Sequence, residues 1–458
     1  MTDGVSVADP GPTQSPGAAG GSDAVAGGSS AVTRPAATPN GGAAGAATAS
    51  TAKGGGVVSR PEGGAAAGGG GGGPAGPGSA PVGGGSVAGP KAYDQGVSDS
   101  EVVFGSVSSM TGLFTDYFQP QAARAYFKYV NSQGGVNGRQ LKLLIYDDQW
   151  DVSRHASLVR QAVETDKVFA FAAMEAILTE QGGVAYLDER QIPVIGGEEG
   201  NLHTWGKSPM YFTITSLGVT VGGRAPARYA YDTLGCRKFA GISLAADESR
   251  GWVDAFKRGM QDRGVNDFAY RRDIGFAEVD YTAYVIQARD AGAECVGMAG
   301  ASASHVRWAK AASQQGFKPI NVFGEAAYDD IYFKGAEGLN EGDYVEVSTE
   351  ILENAATNPA MAEYVKQVAR FEPRMRAKST WAIKAWLAGK ASVEALRRMG
   401  NNLTRANLIA TLHTFKNWET GMSPPVTWNP GPKPGVPCID MVQIKDKAYV
   451  TVQKNVCV

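Results

Sequence analysis

The stretch Val130-Asn131-Ser132-Gln133-Gly134-Gly135-Val136-Asn137-Gly138-Arg139, followed after Gln140 by Leu141-Lys142-Leu143-Leu144-Ile145-Tyr146-Asp147-Asp148, decides how the rest of the chain is read. Phe118, Ala122, Tyr126 and Val130 recur every four residues, so one helical face is apolar up to Val130. Gly134-Gly135 then offers the left-handed backbone that ends a helix. The apolar run from Leu141 to Tyr146 has the length of a buried strand and stops at two aspartates. Upstream, Val102-Val103-Phe104-Gly105 is another short apolar run, closed by the loop from Ser106 to Gly112. Strand, helix and strand in this order make a crossover and therefore a parallel pair.

The alternation continues outward. A helix over 152–165, a strand over 168–173, a helix over 178–190 and a strand over 193–195 follow, and 211–215 closes the set. A second set starts with a helix over 221–234. It continues as strand 239–244, helix 251–263, strand 268–274, helix 280–292, strand 295–298, helix 303–315 and strand 320–323. Beyond about residue 350 the pattern turns helical (359–372, 378–399, 403–414) and ends in two antiparallel strands around Lys445-Asp446-Lys447. The fold class is therefore α/β: two doubly wound parallel-sheet lobes joined by a hinge. The late tail returns over both, which predicts lobe one as 99–217 plus 350–421 and lobe two as 218–349 plus 422–458. Ahead of them, residues 1–92 contain no Leu, Ile, Phe, Trp or Tyr and are mostly Gly, Ala, Ser and Pro. Such a segment buries too little apolar surface to offset the entropy of ordering it, so a disordered tether is expected.

Charge and composition exclude several functions. The formal net charge is −2 and no basic run is interleaved with aromatics, so no nucleic-acid partner is expected. No stretch of ~18 apolar residues exists, and no signal peptide is visible at Met-Thr-Asp-Gly. A tether of this kind suits an extracytoplasmic protein held at the membrane only by an N-terminal, possible lipid anchor attached upstream.

Enzyme motifs fail one by one. In Gly200 to Ser208 the spacing misses a phosphate-binding loop by one residue, and Pro209 opposes the helix that must start at Ser208. Gly300-Ala301-Ser302-Ala303-Ser304 lacks the last glycine of a nucleophile elbow. The histidines are scattered and no cysteines are spaced for a metal, so no catalytic residue, metal or cofactor is expected. The four cysteines are expected as two disulfides. Cys236 precedes the first strand of the second set and Cys295 opens its third, neighbours in a 2-1-3 sheet; Cys438 and Cys457 flank the final hairpin.

The stretch quoted first resembles the opening βαβ unit of the type I periplasmic solute-binding proteins of ABC transporters, the branched-chain amino acid (Leu/Ile/Val) binding family. Thr111-Gly112, Ile192-Pro193-Val194-Ile195, Lys310 to Phe317 and the Ala-rich segment Trp381 to Leu396 extend the likeness in order from about Glu101 to the C-terminus. The resemblance implies a monomeric receptor that closes on a small-molecule ligand and hands it to an ABC permease. The alternative use of the same fold is a ligand-sensing domain of a signalling or regulatory system. It also implies ligand contacts in the loops at the strand ends. These are Ser109, Thr111, Phe114, Tyr117, Glu175, Ala176, Ile177, Glu198, Glu199, Asp247, Arg250, Ala301, Ser302, Glu325 and Tyr328.

The family's amino-acid clamp does not carry over. Aligned without gaps, its hydroxyl position in the third loop falls on Ile177, and two fourth-loop positions fall on Glu198 and Gly200. Its hinge aspartate falls on Gly218, its tyrosine on Ala301, and its glutamate on Ala326 beside Glu325. A zwitterion would lose several charge-assisted bonds of ~1.5–3 kcal/mol each. The ligand is therefore expected not to be a simple α-amino acid. Six loop acids, Glu175, Glu198, Glu199, Asp247, Glu248 and Glu325, against Arg250 as the one base favour a cation or a hydroxyl-rich solute, with Phe114, Tyr117 and Tyr328 as flat apolar faces.

Overall fold

The computed structural model describes residues 91–115, 117–197, 201, 204–215, 222–430 and 437–458. All of these belong to a single unit. The expected tether 1–92 lies outside the described residues except at its last two positions. There Ala92 already pairs with Asn402, so order begins slightly earlier than composition suggests.

In chain order the elements are β1 (Ala92–Tyr93), β2 (Glu101–Ser108), α1 (Gln121–Asn131), β3 (Gln140–Asp147), α2 (Val152–Glu164), β4 (Ala170–Met174), α3 (Gln181–Glu189), β5 (Val194–Gly197) and β6 (Tyr211–Phe212). Then come α4 (Arg224–Asp232), β7 (Phe239–Leu244), α5 (Asp247–Gln261), β8 (Tyr270–Ile274), α6 (Thr282–Asp290), β9 (Cys295–Ala299), α7 (Ser302–Gln314), β10 (Ile320–Phe323), α8 (Asp330–Gly335) and β11 (Tyr344–Val347). The tail holds α9 (Pro359–Phe371), α10 (Thr380–Met399), β12 (Asn402–Leu403), α11 (Arg405–Leu412), β13 (Cys438–Lys445) and β14 (Ala448–Cys457).

Two sheets result. The first runs β3-β2-β4-β5-β6 with every pair parallel. In the second, β8-β7-β9-β10-β11 are parallel, and β13 and β14 add antiparallel strands at the β11 edge. Each parallel set has its strands in the order 2-1-3-4-5. This is the doubly wound arrangement, in which the chain reverses direction across the sheet between its first and third strands. Both faces are covered, so central strands such as Phe239–Leu244 are buried along their whole length.

The cysteines pair as expected, Cys236 with Cys295 and Cys438 with Cys457. The first bond joins the approach to β7 to the start of its neighbour β9, and the second closes the final hairpin. The turn of that hairpin uses Asp446 and Lys447 at φ 52° and 59°, whose left-handed twist suits a two-residue connection.

Helix α10 is buried almost all round, from Trp381 to Met399. It lies against α1, β4 and β5 of the first sheet, where Trp386 meets Tyr126 at 4.7 Å between rings. Further along the tail, Trp428 packs on Phe212 of the same sheet and its Nε1 donates to Thr213 O over 2.5 Å.

Candidate functional site

In open doubly wound sheets a ligand sits beyond the carboxyl ends of the strands, near the reversal of strand order. Both sheets direct those ends to one cavity. Its space extends over about 110 Å³ for the centres of water molecules, enough for several waters or one compact organic solute. From the first sheet come Phe114, Tyr117 and Phe118 after β2, Trp150 after β3, and Ile177 and Leu178 after β4. The second sheet supplies Leu244, Ala246, Glu248, Ser249 and Trp252 around the start of α5, and Phe276 after β8. Ala299 to Ala301, Gly324 to Ala326, Glu346 of β11 and Trp381 of α10 complete the wall.

The wall is aromatic. Phe118 stacks on Trp150 at 5.5 Å, Tyr117 meets Trp381 at 5.7 Å, and Phe114 contacts both Trp150 (5.3 Å) and Phe276 (6.0 Å). The Trp150 ring is placed by a strained backbone: Gln149 and Trp150 both have left-handed φ, 58° and 65°. Asp147 and Asp148 hold this turn. Asp147 Oδ1 accepts the Gln149 N–H at 3.1 Å and Asp148 Oδ1 the Trp150 N–H at 2.9 Å. Trp150 Nε1 in turn donates to Phe114 O at 3.2 Å, tying the two loops together. Asp148 is itself fixed by His155 and Thr179. The paired aspartates at the end of β3 therefore shape the site without touching the cavity.

Helical spacing delivers the polar groups. Glu248 and Trp252 stand one turn apart on α5, and Trp381 and Lys384 one turn apart on α10. Lys384 Nζ lies 2.5 Å from Glu325 Oε1, with the Lys384 side chain 1% exposed. Ser348 and Thr380 hydroxyls donate to the other Glu325 oxygen, at 2.7 and 3.3 Å. Glu346 receives Trp252 Nε1 on Oε1 at 2.5 Å. Its burial, with Glu325 nearby as a second negative group, pushes the Glu346 carboxyl well above the usual carboxylate range, and the Trp252 bond and the Lys384 charge only partly offset this. Burial also raises the Glu248 carboxyl. Three polar atoms of lining residues, Glu248 Oε2, Glu346 Oε2 and Trp381 Nε1, are buried without a hydrogen-bond partner among the described residues.

Of the residues expected from sequence, Phe114, Tyr117, Ile177, Glu248, Ala301 and Glu325 line the cavity, and Asp247 stands at its mouth beside Glu248 and Phe276. Glu198 and Glu199 lie outside the described residues. The others correct the expectation. Tyr328 is fully buried, because its ring packs on Tyr449 at 4.8 Å and its hydroxyl donates to Glu353. Ser109 is buried beside Thr179, and Thr111 turns away to hydrogen-bond Asp147. Glu175 is buried beneath the loop, where it accepts the Gln119 N–H at 2.7 Å, and Ala176 is buried with it. Ser302 caps the far side by donating to Ala326 O at 2.7 Å. Arg250 is engaged by Asp273 at 2.8 Å and Asp247 at 3.0 Å, and the lining acid Glu325 is met instead by Lys384.

Sequence reasoning missed Trp150, Trp252, Trp381, Lys384 and Glu346. A lone acid inside the apolar strand Tyr344-Val345-Glu346-Val347, and Lys384 inside the apolar opening of the Ala-rich segment from Trp381, were the available signals. A charged residue that cannot reach water needs a partner or a purpose.

A family model described as periplasmic binding protein matches residues 101–448. Among curated relatives, the chain is 21% identical over 285 residues to the Leu/Ile/Val-binding protein homolog 1 of Brucella suis biovar 1, covering 62% of this chain and 74% of the relative. Among solved structures it resembles the fatty acid ABC transporter substrate-binding protein of Thermomonospora curvata (TM-score 0.69, 17% identity, 80% of this chain and 94% of the other). It also resembles a branched-chain amino acid ABC transporter protein of Thermus thermophilus with bound valine (TM-score 0.69, 16% identity, 78% and 97%). At these identities the structural likeness establishes the fold, and the differing ligands in the two descriptions leave the solute to the residues of the site.

Proposed function

The chain belongs to the periplasmic binding protein family, and on that premise we propose that it captures a small organic solute with a flat apolar body and delivers it to an ABC permease. The observation that carries this reading is the meeting of Phe114, Tyr117, Phe118, Trp150, Phe276 and Trp381, from both sheets and α10, around one cavity. Rings from separate segments contribute large apolar area at low entropic cost and fix the orientation of a planar guest. Where an amino-acid clamp calls for hydroxyl groups, Ile177 and Ala301 present hydrocarbon. This supports an occupant other than a simple α-amino acid.

The same reading makes the protein a non-enzymatic, monomeric, extracytoplasmic receptor, with residues 1–92 as the link to a membrane anchor. In this reading the lobes are 99–217 plus 350–421 and 218–349 plus 422–458, amended only at the last crossing. We place the last crossing between Trp428, packed on the first sheet, and Cys438, which opens β13 of the second, rather than at 422. Native mass spectrometry of protein purified without added solute, followed by denaturing extraction, tests the claim. An aromatic or otherwise apolar small molecule is expected; leucine, isoleucine or valine as the bound species would overturn it. Loss of uptake of that solute when the protein is removed separates transport from sensing.

A further inference from the structure

We propose that the solute carries a protonated amine, seated between Glu346 and Glu248 with its apolar body against the aromatic wall. This rests on the reading of the cavity as a ligand site and names the charge class that reading leaves open.

The argument begins with atoms rather than overall charge. Glu346 is 2% exposed, lines the cavity, and has one oxygen engaged by Trp252 and the other unmatched. Glu248 Oε2 is a second unmatched acceptor of the same lining. By itself, burial favours the neutral form of both carboxyls. A cation beside them favours the ionised form, whose free oxygens accept, so the partner that suits both is a charged donor. Leaving such buried groups unmet is unfavourable, and a solute that meets them recovers that loss. A single ammonium with three N–H bonds serves both acids, whereas a hydroxyl has one hydrogen to give. Trp381 Nε1 is the one buried unmatched donor of the lining among the described residues and suits an acceptor elsewhere on the same solute.

Charge points the same way. Glu248, Glu325 and Glu346 line the cavity, no basic side chain does so among the described residues, and Lys384 stands behind the wall, held by Glu325 at 2.5 Å. An anion entering here would have to break that pair and lie among three acids. A cation meets the acids and the faces of Trp150, Tyr117 and Trp381, which attract positive charge through their ring quadrupoles.

Three probes share a phenyl ring and differ in the terminal group: phenethylamine, 2-phenylethanol and 3-phenylpropionate. Isothermal titration calorimetry of the full chain at neutral pH is expected to find the amine bound roughly tenfold or more tighter than the alcohol, and the carboxylate weakest. Glu346→Gln, which keeps the shape and one acceptor, should weaken the amine by about tenfold and leave the alcohol within about threefold. Tightest binding of the carboxylate, or equal binding of amine and alcohol, overturns the amine while leaving the aromatic reading in place. Failure of all three probes to bind overturns both. The comparison among probes on the unmutated chain holds whether or not Glu346→Gln folds.

Discussion

Lys384 of α10 and Glu325 at the end of β10 meet at 2.5 Å, so a helix packed on the first sheet is pinned electrostatically to a loop of the second. The pair is almost dry, with side-chain exposures of 1% and 13%. Two opposite charges in such a place attract each other, and removing one leaves the other stranded. Lys384→Met is therefore expected to cost about 3 kcal/mol in urea unfolding, and the double variant Lys384→Met/Glu325→Gln to recover most of it. A double variant as unstable as the single one would mean that Lys384 matters for packing rather than for charge.

The strained turn at Trp150 carries a prediction for binding. Trp150→Ala removes a face that stacks on Phe118 and contacts Phe114, and should weaken phenethylamine by roughly tenfold. Gln149→Gly, at φ 58°, relieves backbone strain without touching the cavity and should raise stability by about 0.5–1 kcal/mol with affinity unchanged. Fluorescence titration and thermal melting check the two in parallel. A Gln149→Gly protein that melts lower would show that the side chain, and not the strain, matters there.

How much of this was legible in the sequence depended on range. The βαβ rhythm is local: Phe118 to Val130 at spacing four and the Gly134-Gly135 stop need only neighbouring residues, so both sheets and both disulfides followed. The site is not local. Trp381 and Glu346 reach the cavity only because α10 returns to the first sheet and β11 sits fifth in the second. Tyr328 shows the opposite failure. A tyrosine soon after a strand reads as a loop aromatic, but the antiparallel β14 brings Tyr449 across it and turns it into core. Asp147 and Asp148 were visible as paired acids, yet their task, holding a left-handed turn, emerges only from backbone angles.

The disulfides should differ in their effect on stability. In the chain-entropy account the stabilisation grows with the loop closed. The separations are 59 residues for Cys236–Cys295 and 19 for Cys438–Cys457. Replacing the first pair by serines is expected to cost about 4 kcal/mol and the second about 3. Denaturant midpoints of the two double variants measure the order. A larger loss from Cys438→Ser/Cys457→Ser would locate the effect in the native hairpin rather than in the unfolded chain.

The last prediction concerns pH and lies away from the cavity. Asp343 is buried beside Asn321, which donates to it at 2.8 Å, and Tyr332, whose hydroxyl bonds its other oxygen. Burial pushes its carboxyl up to about 7, against 3.8 for an ordinary aspartate. The folded chain thus holds a proton there that the unfolded chain releases. The stabilising contribution is complete below about 3.8 and is lost as pH rises towards about 7. His305 works against this, because its burial lowers it from 6.5 to about 4, so its contribution is lost as pH falls through that range. A raw stability curve mixes the two, and comparison with Asp343→Asn separates them, since the amide does not titrate. From about pH 5 to about pH 7.5, the wild-type chain should lose stability relative to Asp343→Asn by an amount of the order of 2 kcal/mol. Urea midpoints at four or five pH values suffice. Parallel curves for the two proteins would show that Asp343 is ionised throughout and that its two hydrogen bonds outweigh its burial.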